Sequence, residues 1–132
     1  MIRGRVSSRL AFGRIRKAVR QHNIRSLARA GATVRLIAKR SIRQRKKAST
    51  PGLPPNTRKG ALRRAILFAV ERSRQRVIIG PDRRFVGRSG AAHEFGGRYR
   101  RERYPRRPFM GPALLKVRNR LPRAWQVRGY SR

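Results

Sequence analysis

The sequence has no cysteine, which excludes disulfides, thiolate metal sites and cysteine nucleophiles. Acids are almost as scarce: Glu71, Asp82, Glu94 and Glu102 stand against 38 Lys and Arg. Glu71, Asp82 and Glu102 show no metal-ligand spacing, and the two histidines, His22 and His93, lie far apart in the chain. His93 and Glu94 are adjacent, which on a strand points them to opposite faces and leaves no acid–base pair. Gly87-Arg88-Ser89-Gly90 lacks the Gly-Lys-Ser/Thr ending of a phosphate-binding loop. No apolar run reaches the roughly 18 residues needed to cross a bilayer. These scarcities predict a protein that is not an enzyme, with no catalytic residue, metal, cofactor, small-molecule substrate or membrane.

What is abundant is arginine. The 132 residues carry a formal charge of +34, and 32 of the 38 cations are Arg. The planar Arg fork pairs with phosphate or carboxylate at two points, which suits interface contacts. So much charge calls for a polyanion: nucleic acid, acidic protein or a salt atmosphere. The length suits one compact domain. The hydrophobic share of 38% is below the roughly 45–50% of ordinary globular domains and implies a thin core helped by partners.

Residues 1–23 read as a basic arm, and 24–132 as a single α+β domain. Arg-rich and acid-free, Met1 to Arg20 has the composition of a transit peptide, which a solvated arm explains as well. Within the arm, Ile15 and Val19 are spaced for a short helix lying on a partner surface. From Ile24 to about Lys47, Leu27, Gly31, Val34, Ile37, Ala38 and Ile42 fall on one helical stripe, giving the longest helix. A proline-rich loop follows over 49–57. A helical turn after Gly60 leads into a strand ending near Glu71; Arg72–Arg74 turn the chain, and Gln75–Gly80 return. Phe85-Val86 and Ala91–Phe95 read as short strands, 96–107 as a charged loop, and a final helix begins at Pro112. The fold class is α+β: a small, mainly antiparallel sheet packed against the long helix and a C-terminal helix.

Five segments in order carry a family resemblance. They are Ser49-Thr50-Pro51-Gly52-Leu53-Pro54-Pro55, Gly60-Ala61-Leu62-Arg63-Arg64-Ala65-Ile66, Val77-Ile78-Ile79-Gly80-Pro81, His93-Glu94-Phe95-Gly96-Gly97 and Tyr104 to Leu114. The set resembles the tail-component family of tailed bacteriophages, the neck or tail-completion proteins of the head–tail joint, over roughly residues 24–121. The resemblance implies a small, non-enzymatic α+β virion protein. It would assemble as a hexameric or dodecameric ring between the portal (connector) and the tail tube, after a stay in the host cytoplasm.

Glu94, rare among so many cations, is expected to pair with an Arg, either as an internal strut or across subunits. Gly96 beside it can take positive φ and turn the chain. Phe95, Arg107 and Phe109 join Glu94 as candidate subunit or partner contacts, although for Phe109 and Met110 core filling is the preferred reading. Arg14, Arg16 and Lys17 of the arm, with Arg98, Arg100, Arg101 and Arg103, are candidate contacts to viral double-stranded DNA or acidic partners. DNA crossing a domain about 35–40 Å thick presents on the order of 20–25 negative charges. A six-membered ring at +34 per chain carries about 200 positive ones, so most Arg must face other anions. Tyr99 and Tyr104 flank Arg in that segment, but a duplex hides its bases, so contact there is to the backbone. A small ribosomal-type RNA-binding protein is the second reading of the same composition.

Overall fold

A computed structural model describes residues 2–127, with side chains from residue 11 onward. It is α+β. Helix α1 (Ile2–Ser41) is followed by strands β1 (Arg43–Gln44) and β2 (Asn56–Thr57), then helix α2 (Ala61–Ala65). The hairpin β3 (Ile66–Glu71) and β4 (Arg76–Pro81) comes next, then helices α3 (Arg83–Val86) and α4 (Ser89–Phe95). A second hairpin, β5 (Gly97–Tyr99) and β6 (Glu102–Tyr104), precedes helix α5 (Met110–Val117) and a 3-10 turn at Leu121–Trp125. The strands form three separate pairs, antiparallel in both hairpins and parallel in β1–β2.

The boundary expected at residue 23 falls inside α1, a single helix of 40 residues. At 1.5 Å per residue it is about 60 Å long. No proline occurs before Pro51, and Gly13 and Gly31 are too isolated to end it. It stops at Ser41, earlier than the expected Lys47. There Ser41 Oγ donates to the Ala38 carbonyl at 2.7 Å, and the chain leaves the helix to pair Arg43 and Gln44 with Asn56 and Thr57. That exit buries Ile42, at 1% exposure.

The core is narrow. Ala38 of α1 and Ile42 just after it, Leu62 and Ile66, and Phe109 and Ala113 make one buried cluster, with Ile37, Val86 and Met110 packed against it. A second contact lays the inner face of the β3–β4 hairpin on α1 at Gly31. A Cβ there would sit 2.7 Å from Val77 Cγ2 and 2.8 Å from the Phe68 ring, so only glycine allows this approach. The outer face of that hairpin leaves Leu67 and Ile78 exposed. Trp125 closes the far side, donating its indole N–H to Asn23 Oδ1 at 2.8 Å, while His22 Nε2 donates to the Trp125 carbonyl.

Three local expectations are corrected. Phe85-Val86 and Ala91–Phe95 belong to helices α3 and α4, not strands. Asp82 starts α3 by accepting from the Arg84 backbone N–H, and α4 brings Gly90 against Pro81, an approach too close for any side chain. The charged loop folds into the β5–β6 hairpin. Helix α5 begins at Met110, two residues before Pro112.

Candidate subunit and nucleic-acid interfaces

Glu94 lies in the last turn of α4, and its carboxylate reaches the start of α5. One oxygen accepts from the backbone N–H of Phe109 at 2.8 Å and of Met110 at 2.9 Å; the other accepts from Gly111 at 2.8 Å. These are donors that the first turn of a helix cannot satisfy itself, and the anion also faces the positive end of the helix dipole. Glu94 is therefore an internal strut, but its partners are peptide groups, where the sequence suggested an Arg. On the described residues the ion pairs are Glu71 with Arg74 and Arg76, and Asp82 with Arg84. The Arg84 guanidinium holds the Asp82 carboxyl below the usual carboxylate range.

Arg107 and Phe109 converge on the same place, and Phe95 does not. Phe109 is fully buried in the core. The Arg107 guanidinium donates to the Ser49 carbonyl at 2.8 Å, and its backbone N–H donates to the His93 carbonyl at 2.7 Å. The proline-rich loop is held again where Gly52 N–H donates to the Arg106 carbonyl at 2.8 Å. Burial and the nearby Arg107 push the His93 imidazole below its ordinary value. Phe95 points away, 78% exposed.

The β5–β6 hairpin gathers Arg98, Arg100, Arg101 and Arg103 into one projection. Register pairs Arg98 with Arg103 and Tyr99 with Glu102. Strand alternation then puts Tyr99 and Tyr104 on one face, and Arg98 directly opposite Arg103 on the other. The two tyrosines meet edge to face at 6.0 Å, and Tyr104 meets His93 at 5.2 Å, which anchors the hairpin to α4. The rings are thus engaged within the protein. Arg100 and Arg101 form the two-residue turn, with φ of 48° and 66°. Positive φ at both central positions defines a type I′ turn, which strongly favours Asn-Gly. Two arginines in left-handed backbone, and two more side by side, are each locally unfavourable. The chain keeps four exposed guanidinium groups together against its own local preferences.

Arg14, Arg16 and Lys17 sit on the part of α1 where every residue from 11 to 21 is exposed. With Arg16 beside it and Arg14 and Lys17 across the helix, an apolar strip runs along that stretch: Phe12, Ile15 and Val19, 61%, 56% and 62% exposed. Their spacing continues through His22 to Ser26, Ala30, Val34 and Ala38, residues that line the covered side of the helix. The seam that builds the core therefore runs on for about two more turns, uncovered among the described residues. Sequence periodicity placed Ile15 and Val19 on a partner-facing helix; the continuity of their stripe with the core needed the structure.

Asp82, the β5–β6 turn and the backbone partners of Glu94 escaped sequence reasoning. A cap residue before a short helix was the available signal for Asp82. Among the described residues no group of three or more His, Asp or Glu is placed to hold a metal ion. No described helix is long and apolar enough to cross a membrane. No family model, curated protein or solved structure matches this chain.

Proposed function

We propose that the chain is a structural subunit of the head–tail junction of a tailed bacteriophage. It assembles as a ring that joins the portal side to the tail tube around the DNA channel. The ordered motifs from Ser49 to Leu114 motivate the reading. The observation that carries it is the uncovered apolar seam at Phe12, Ile15 and Val19, in line with the seam that forms the core. A chain with so thin a core gains from covering such a stripe with a neighbouring subunit, at about 25 cal/mol for each Å² buried. The Arg-tipped hairpin serves as the contact to the DNA backbone, where guanidinium forks pair with phosphates.

Sedimentation velocity of the purified chain, nuclease-treated and at high salt, tests the seam. The wild type should sediment as a multi-subunit species, and Ile15→Asp with Val19→Asp as a single chain of unchanged helicity. Wild type and variant sedimenting alike would contradict the assignment of this stripe to subunit contacts. The hairpin suits RNA phosphates equally well, so co-sedimentation with ribosomal subunits is the result that favours the second reading.

A further inference from the structure

A groove of about 860 Å³ opens between the end of α1, the proline-rich loop and α5. Its floor is apolar, made by Ile37, the buried Ala113 and Leu53, the last 58% exposed. Five cations line it, Arg40, Arg43, Arg45, Lys47 and Lys116, and no acid does. None of the five is in an ion pair among the described residues. The walls are fixed. Arg107 holds the Ser49 carbonyl, Gly52 N–H holds the Arg106 carbonyl, and Asn56 Nδ2 donates to the Lys47 carbonyl at 2.9 Å. A site whose backbone is already ordered loses less entropy on binding.

We propose that this groove binds an acidic peptide segment of a partner protein, with apolar side chains on the floor and carboxylates on the basic rim. The volume falls within the range of pockets that enclose a ligand, roughly 300–1,000 Å³. The lining chemistry separates this occupant from two others. Single-stranded nucleic acid needs aromatic platforms for its bases, and no aromatic residue lines the groove. A duplex presents a broad convex backbone that leaves the apolar floor unused. The exposed stripe of a second copy lies on a helix segment that carries Arg14, Arg16, Lys17 and Arg20, which would bring more cations to a basic groove. An acidic, apolar-studded segment satisfies floor and rim together. The site does not depend on the ring reading; a chain that forms no ring keeps the groove.

Fluorescence anisotropy at physiological salt tests it, with a short fluorescein-labelled peptide of Asp, Glu and Leu. A second probe of identical charge has every Leu replaced by Ser. Screening confines each cation's reach to about 8 Å, so a specific site separates from the general positive field. The groove variant Arg43→Gln, Lys47→Gln, Lys116→Gln should weaken the Leu probe by about tenfold or more. A control removing the same charge elsewhere, Arg25→Gln, Arg88→Gln, Arg123→Gln, should weaken it by less than about threefold. All six side chains are exposed, so circular dichroism should match the wild type. Leu53→Ser gives a second check that alters no charge: it should weaken the Leu probe and leave the Ser probe unchanged. The proposal is overturned if the two triple variants fall alike, or if the Ser probe binds as tightly as the Leu probe. A larger loss for duplex DNA than for the peptide in the groove variant overturns it too.

Discussion

Replacing Glu94 by Ala removes one carboxylate and strands three backbone donors at once. Its bonds to Phe109 and Met110 are partly buried, and that to Gly111 is exposed, so water replaces only the last. Leaving a buried donor unpaired costs about 1–3 kcal/mol, so two such donors give about 2–6 kcal/mol. Losing a negative charge at the N-terminus of α5 adds about 0.3–1 kcal/mol. The expected loss, roughly 2–7 kcal/mol, is large beside the 5–15 kcal/mol that holds a typical domain together. Glu94→Gln keeps an acceptor oxygen and should lose less than half as much. Urea unfolding followed by circular dichroism and by the single Trp125 reads both, with Glu102→Ala as an exposed control. An intersubunit ion pair would instead leave the stability of the single chain unchanged and weaken assembly. A Glu94→Ala loss equal to that of Glu102→Ala would refute the capping account.

Four further outcomes are expected. Arg100→Asn with Arg101→Gly gives the β5–β6 turn its preferred residues and should stabilise the chain by about 1–2 kcal/mol. The same double variant should reduce the salt slope of duplex binding by about two, measured by anisotropy titration at several salt concentrations. Gly31→Val forces a branched side chain against Val77 and Phe68 and should destabilise by more than about 2 kcal/mol in urea unfolding. His93, held below its ordinary value of 6.5 by burial and then by Arg107, is protonated first in the unfolded chain as pH falls. Stability should therefore fall as pH drops below about 6.5, and thermal melts of His93→Gln should show a flatter slope there.

The β3–β4 hairpin was legible because Ile66, Phe68 and Val70 alternate and Val77-Ile78-Ile79 follows a polar turn. The α1 stripe was legible for the same reason at helical period. Ala91–Phe95 was not, since a short apolar run suits strand and helix equally; tertiary contacts chose, through Gly90 on Pro81 and Glu94 on α5. The β5–β6 hairpin was hidden because its turn is Arg-Arg, where turn chemistry calls for Asn-Gly. Glu94 was recognised as a strut, but its partners are peptide N–H groups, which no letter of the sequence marks. Helix α5 starts before Pro112 for the same reason: its cap comes from a residue far back in the chain.

The head–tail junction reading meets its most direct test in a gradient. A native lysate of cells producing the virus is nuclease-treated, held at high salt to strip adventitious nucleic acid, sedimented and probed for this chain. The account predicts that the protein travels with intact particles or tails, and that imaging those particles places it as a ring at the neck. Sedimentation with ribosomal subunits would contradict it and favour an RNA-binding role for the same basic surfaces.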